Sequence, residues 1–486
     1  MPVASLMVPA QRVPQLIAKA LRQQLLPRPT LSAPLLGKRK IKCLTLNVLA
    51  SPVPFNRMED QRLRCLLGQI KEERYDVVAF QELAERHWYG VKRKKEYINF
   101  VHSLRDLGYV HHVAGPAPRL GAPLDGGTAI FSRHPIVSSS LHPWERQVSW
   151  DSFASKGVVQ ALLEVAPPPE VVEEVEAQAA QHLGFVPMLP EPAKLHVVTL
   201  HAQASHAGWQ NTAGEDRYRR TRLEQMRQLT QVLREEAKDG EAVLAFGDFN
   251  FDARDLAELA LHQSQFTAGT GRRSPPLDVI ATTFNGDHPA TFGLRDEFGN
   301  PLETFLTTKS LYATEQCLDH VYFWPAEPGA AGYQEQPVGA LGLERVSSQG
   351  YVHSEPRCKL EICPYTGPPS RTGRRPTQVS DHYGWSVEFD LAWRLRWAVS
   401  PSSMEGHASS LPSAMFPRQR ENWLPDDWLP REDPLHLRLR GILEDRPHCS
   451  SAWTARQTSS PLPSAVHALQ RMWQWVQKST HKPVLA

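Results

Sequence analysis

The chain has 486 residues, 41% of them hydrophobic, a formal net charge of +2 and a sequence pI near 8.2. That is enough apolar material for a large core, and length alone admits roughly one to four domains. A charge this close to zero excludes a global basic field of the kind that holds nucleic acid, so any phosphate partner is met locally.

No apolar run approaches the ~20 residues of a membrane-spanning helix. The first 58 residues carry no Asp or Glu, whereas Arg12, Lys19, Arg22, Arg28, Lys38, Arg39 and Lys40 are basic. Val13, Leu16, Ile17, Ala20, Leu21 and Leu25 fall near helical spacing beside those charges. Residues 1–40 therefore read as a mitochondrial transit segment or a membrane-surface helix, against the plain alternative of a disordered tail. Six scattered cysteines suit a reducing compartment; Cys358 and Cys363 could pair or form half a metal site, but no second pair follows them.

After this segment the chain alternates strands and helices. Ile41–Leu49 is a strand that ends near Asn47, residues 57–74 are helical in pattern, and residues 75–83 form a strand carrying Gln81 and Glu82. Residues 91–107 look helical; Lys92–Lys95 reads as a solvated face before an anionic-lipid patch. Asp125-Gly-Gly-Thr is a glycine turn feeding a strand, and a loop with Asp151 and Lys156 precedes the strand Val158–Val165. A Pro-rich, acidic insert over 166–193 carries a surface helix, and the strand resumes at Lys194–Leu200, ending on His201. A long charged helix over 216–238 leads to Val243–Phe246 and then Gly247-Asp248-Phe249-Asn250. Asp319-His320 lead into Val321–Phe323, and Ser380-Asp381-His382 precede the strand Trp385–Phe389. Residues 392–486 form a Pro/Ser/Trp-rich tail with a basic amphipathic helix over 465–478.

Six short strands thus each carry an acid, amide or imidazole at one end. A turn cap explains any one of them: Asp248 and Asn250 could form a local Asx motif, and a lone Glu82 reads as a salt bridge. Together the groups sort into oxygen ligands suited to Mg²⁺ (Glu82, Asn47) and imidazoles able to move a proton or hold an oxyanion (His382, His201), with Asp319 placed to orient one of them. That set specifies metal-assisted attack of water on phosphorus. No P-loop, nucleophile elbow or His-Glu-x-x-His motif is present, so no nucleotide cofactor is expected.

In order and on strand ends, Asn47, Gln81-Glu82, Gly247-Asp248-Phe249-Asn250, Leu318-Asp319-His320 and Ser380-Asp381-His382 resemble the endonuclease/exonuclease/phosphatase superfamily. That resemblance implies an α+β four-layer sandwich, two packed β-sheets flanked by helices, over residues 41–391. Residues 125–136, Ser155-Lys-Gly157 and Leu200–Ser205 are similar to the Mg²⁺-dependent neutral sphingomyelinases, with Leu200-His201 standing where that family has Thr-His. Asp151 and Lys156 resemble the Asp–Lys pair of its regulatory loop. The transit-like start, without amino-terminal hydrophobic segments, looks most like the mitochondria-associated member.

The resemblance implies hydrolysis of sphingomyelin to ceramide and phosphocholine, with Mg²⁺ (or Mn²⁺ in its place) on Glu82, Asn47 and the neighbouring Asp381. His382 would be the general base and Asp319 its orienting partner. Asp248 and Asn250 would position nucleophile and phosphate, and His201 would stabilise the oxyanion. Sphingomyelin in membranes is the expected partner, anionic phospholipids the expected activators, and nucleic acid is not expected. Trp150, Phe153 and Tyr383 are candidates to face a choline group. The expected location is the mitochondrion, with the endoplasmic-reticulum membrane as the alternative. An inositol-phosphate or other phosphodiesterase of the same superfamily fits less well, because Asn250-Phe-Asp and Leu-Asp-His320 depart from the phosphatase motifs. A non-catalytic membrane scaffold is the reading from a different class, and it would want Glu82, Asp248 or His382 replaced.

Overall fold

The computed structural model describes residues 35–51, 58–86, 94–181, 186–187, 190–205, 212–237, 241–270, 275–307, 314–326 and 343–399. The segment up to residue 34 expected to target the chain, the basic run at 92–93 and the tail with the helix expected at 465–478 lie outside the described residues.

In chain order the elements are β1 (Leu35–Ala50), α1 (Glu59–Glu73), β2 (Val77–Leu83), α2 (Lys95–Asp106), β3 (His111–Ala114), β4 (Leu124–Asp125), β5 (Ala129–Ser132) and β6 (Ile136–Pro143). There follow β7 (Ala154–Ser155), β8 (Gly157–Val165), α3 (Pro169–Gln181), β9 (Val186–Pro187), β10 (Ala193–His201), α4 (Thr212–Glu236), β11 (Ala242–Asp248) and α5 (Leu256–Gly269). The described chain closes with β12 (Leu277–Asp278), α6 (Val279–Thr283), β13 (Asp319–Trp324), β14 (Leu343–Val352), β15 (Arg357–Glu361) and β16 (Gly384–Val399). One sheet runs β3-β5-β2-β1-β16-β14-β9, with β15 also on β16, and the other runs β12-β13-β11-β10-β8-β6. All six strands expected to carry site residues are present.

Alternation along β1 and β2 explains the layering. Ile41, Cys43, Val77 and Ala79 point between the sheets and join Val197, Val321, Val387 and Phe389 in one core. Leu44, Leu46, Val78 and Phe80 point the other way, onto Leu63, Leu66 and Ile70 of α1 and Phe100 and Leu104 of α2. Behind the second sheet, Met226, Leu229 and Leu233 of α4 and Phe266 of α5 cover β10 and β11. The result is the expected α+β four-layer sandwich.

Two expected boundaries are corrected. β1 begins at Leu35 and pairs with β16 from Leu35↔Arg394 onward, so limits at 40 and 391 cut through one continuous strand pair. The acidic insert explains the extension: Val171 of α3 is buried in the main core, Val175 is buried as well, and a side chain at Gly37 would meet Val171 at 2.7 Å. β9, also from the insert, pairs with β14 at the sheet edge. The insert is therefore part of the sandwich, with Glu170, Glu173 and Glu176 on its exposed side.

Between α4 and α5 a charge cluster is sealed inside. Arg222 Nε donates to Glu258 Oε1 at 2.8 Å, and both residues are buried. Burial alone would raise the Glu258 pKa, but His262 and Arg222 beside it override that and hold it at about 2. A carboxylate depressed in the fold stabilises above its unfolded pKa, and that contribution fades as pH falls toward the folded value. Glu258→Gln, which takes from Arg222 its buried charge partner and leaves it only the more exposed Glu215, should cost ~3 kcal/mol at pH 7. The gap to wild type in urea denaturation should narrow as pH is lowered from about 4.5 to about 2; a gap independent of pH would contradict this assignment.

Candidate active site

The second sheet places three of the site groups by register alone. His201 of β10 pairs with Asp248 of β11, which pairs with Asp319 of β13, so the three side chains share one row. On the first sheet Asn47 of β1 pairs with Gln81 of β2 and projects between the sheets in the same sense as Ile41 and Cys43. Glu82 would fall on the helix side if the strand stayed regular. Instead its φ is +57°, a left-handed conformation that costs a non-glycine residue about 1–3 kcal/mol and turns the carboxylate toward the site. The glycine turn explains how it is held. Leu83 N donates to Gly127 O at 2.8 Å, and a Cβ on Gly127 would lie 2.5 Å from that same nitrogen.

Asn250 reaches the site by a different route from the period of two. β11 ends at Asp248, and Asn250 has φ +55° with its own N–H donating to Asp248 Oδ1 at 3.0 Å. Both the local Asx turn and the site position are realised. Asn250 Nδ2 then donates to Ala202 O at 3.2 Å, tying the end of β11 to the loop after His201.

At the centre, Asn47 Nδ2 donates to Glu82 Oε1 at 3.0 Å and to Asp248 Oδ2 at 2.9 Å, joining acids from the two sheets. The Asn47 oxygen accepts the Leu49 N–H at 3.1 Å. On one side of Asp248, His382 Nε2 lies 3.9 Å from its Oδ2 while His382 Nδ1 is bonded to Asp319 Oδ2 at 2.9 Å. On the other side, His201 Nε2 is 3.5 Å from Asp248 and 3.9 Å from Glu82. Lys156 Nζ donates to Asp151 Oδ2 at 2.9 Å and lies 3.0 Å from His201 Nε2. The same Asp151 oxygen accepts the Ala204 N–H at 2.7 Å, so the Asp151–Lys156 pair is built into the site wall.

Electrostatics follow from burial and company. Burial opposes charge on His382, but the carboxylates of Asp319, Asp248 and Asp381 outweigh it and carry its pKa to about 10. Burial raises Asp248 to about 7 against the pull of His382. Burial and then the Lys156 ammonium push His201 well below the ordinary histidine value, so it is neutral at pH 7 and its Nε2 is free to accept from Lys156.

The donor set fits a hard divalent cation. Asp248, Asp319 and His382 offer ligand atoms within 4.8 Å of one another, and Asp319 Oδ1 is buried with no hydrogen-bond partner among the described residues. Glu82 adds a carboxylate through Asn47, whose nitrogen, not its oxygen, faces the acids here. Asp381 stands beside His382 with Oδ1 buried and without a hydrogen-bond partner among the described residues, outside that three-residue group. Of the aromatic candidates, Trp150 is 43% exposed and tilts against Phe153, while Tyr383 is a buried core ring.

Several supporting contacts are not foreseen from the sequence, although Gln81 and Ser380 stand in its motifs. Gln81 Nε2 donates to Thr45 Oγ1 at 3.1 Å and, across the sheets, to Thr199 Oγ1 at 2.9 Å. Trp385 Nε1 donates to Asp319 O at 2.9 Å and Trp144 Nε1 to His201 O at 2.7 Å. Ser380 Oγ donates to Asn47 O. Removing the Asp319 charge should let His382 fall from about 10 toward the ordinary value. In Asp319→Asn, histidine proton NMR titration in EDTA should show a drop of at least one unit; an unmoved midpoint would mean that Asp319 does not govern this imidazole.

Residues 44–382 match the model of the Endonuclease/Exonuclease/phosphatase family. The chain is 26% identical over 354 residues to a sphingomyelinase of Dictyostelium discoideum, covering 64% of this chain and 71% of that protein. Among solved structures, sphingomyelinase C from Streptomyces griseocarneus is similar with a TM-score of 0.46 at 18% identity, covering 72% of this chain and 99% of that one. A Staphylococcus aureus beta toxin with bound magnesium ions gives 0.44 at 16% identity, covering 72% and 99%. With the matched segment running from within β1 to His382, well over half of the chain, the chain belongs to the endonuclease/exonuclease/phosphatase family.

Proposed function

We propose that this protein is a Mg²⁺-dependent phosphodiesterase that hydrolyses sphingomyelin to ceramide and phosphocholine. The observation that carries the chemistry is the meeting of Asp248 with Asn47–Glu82, with His382–Asp319 and with His201–Lys156 at one end of the sandwich. The choice of substrate is supported by the sequence likeness to a sphingomyelinase and by the Asp151–Lys156 loop beside the site.

In this reading Asp319 fixes His382 through Nδ1, leaving Nε2 aimed at the site to take the proton of the attacking water. Asp248 and Asn250 position that water and the phosphate. Lys156 brings positive charge to His201, and the pair faces the oxygen on which charge develops. Glu82, Asp248 and Asp319, with Asn47 and Asp381 beside them, would hold Mg²⁺, which supplies phosphoryl charge neutralisation and offsets the carboxylates that otherwise keep His382 protonated. Trp150, exposed one residue before Asp151, offers a ring to a quaternary ammonium, a role closed to the buried Tyr383. Anionic phospholipids would act at basic stretches such as Arg371–Arg375.

Purified protein offered sphingomyelin vesicles, a phosphoinositide and abasic DNA should release phosphocholine from the first, with Mg²⁺ and not with EDTA. His382→Ala should lower that turnover about 10²–10⁴-fold while unfolding at a similar temperature. Turnover of a different substrate alone would replace the sphingomyelin assignment. Residues 1–40 would direct the chain to mitochondria, as in the mitochondria-associated neutral sphingomyelinase. Fused to a fluorescent protein they should carry it there, and diffuse or reticular fluorescence would overturn that placement.

A further inference from the structure

Arg62 sits on α1, outside every motif discussed above, yet its side chain is buried against the ends of two site-bearing segments. Its Nη1 donates to Val48 O at 2.9 Å and to Val379 O at 2.6 Å, and its Nη2 donates to Leu49 O at 2.8 Å. Val48 and Leu49 directly follow Asn47; Val379 directly precedes Ser380-Asp381-His382. One guanidinium therefore grips the backbone on both sides of the joint between the Asn47–Glu82 corner and the His382 loop.

The grip is specific in two ways. A planar guanidinium presents its donors in a fixed fork, so three carbonyls on it hold both the distance and the angle between their segments. Leu49 is also at φ +48°, a conformation that a leucine occupies only when its surroundings enforce it, and the Arg62 fork sits on its carbonyl. Burial lowers the Arg62 pKa from its ordinary value, and Glu59, Asp381, Glu303 and Glu82 oppose that, so two acids of the site, Asp381 and Glu82, help to keep Arg62 charged.

We propose that Arg62 is a positioning residue: it locks the strand end bearing Asn47 to the loop bearing His382, and so sets the spacing between the cation-binding acids and the imidazole. This rests on the phosphodiesterase reading for its catalytic consequence, and on geometry alone for its structural one. A lysine reaches the same place with one ammonium and no fork, so it keeps the charge but cannot hold all three carbonyls in one plane.

The test is Arg62→Lys in the full chain, read in two ways. Hydrogen–deuterium exchange needs no substrate: amides of 48–50 and 379–383 should exchange about tenfold faster than in wild type, with β8 unchanged. If wild type turns over sphingomyelin, the variant's kcat should fall about 10- to 100-fold with KM within about twofold, as expected when reacting groups are displaced while the substrate surface is kept. Unchanged exchange in either segment, or unchanged kcat in an active protein, would overturn the proposal. Inactive wild type with locally faster exchange would sink the phosphodiesterase reading and leave the positioning role standing. Should Arg62→Lys fail to fold, Arg62→Gln is measured identically; failure of both to unfold cooperatively would make Arg62 a general element of the fold and overturn the proposal too.

Discussion

One amide group holds two acids from different sheets. Asn47 on the first sheet donates to Glu82 beside it and to Asp248 on the second, and without that shared donor two carboxylates would face each other in a region that water reaches poorly. Leaving such groups buried and unmatched costs several times what a hydrogen bond returns, so the pairing constrains the sheets to meet at this depth and in this register. Below it, Gln81 reaches Thr199 and Trp385 reaches the Asp319 carbonyl, so the polar end of the sandwich is fastened across the layers as firmly as the apolar middle is packed.

That fastening makes the site electrically tense by design. Three carboxylates, Asp319, Asp248 and Asp381, act on one imidazole, with Glu82 joined to Asp248 through Asn47, and the protein answers with His382 charged, Asp248 raised and Lys156 paired with Asp151. Each adjustment marks where negative charge is concentrated, and so where a cation would act. The neutral His201 completes the contrast: two imidazoles flank one aspartate, and burial with unlike neighbours drives their pKa values in opposite directions.

Backbone strain completes the arrangement. Leu49, Glu82 and Asn250 all take left-handed φ values at the ends of their strands, and each is pinned by a neighbour: Arg62 on Leu49, Gly127 beside Glu82, the Asp248 carboxylate on Asn250. At Glu82 the strain turns toward the site a side chain that strict alternation would send to the helix side.

The strands and the groups at their ends were legible in the residues because both rest on local rules: an apolar run with period two makes a strand, and a polar residue at its end needs a partner. Asn47, Glu82, His201, Asp248, Asp319 and His382 were all found that way, and their order carried the family and the four-layer fold. The limits of the first sheet were not, since Leu35–Lys40 becomes strand only when the insert helix closes on Gly37 and β16 runs alongside. Nor was the route of Asn250, which depends on a left-handed turn that period two does not foresee. Arg62, Gln81–Thr199 and the contact of Lys156 with His201 join residues far apart in sequence, and no local pattern marks them. The sequence by itself determined which side chains end which strands, because that follows from nearest-neighbour periodicity. Only the tertiary structure decided which of them touch and how charged they are, because both depend on the distance between sheets and on how much water the packed core leaves between them.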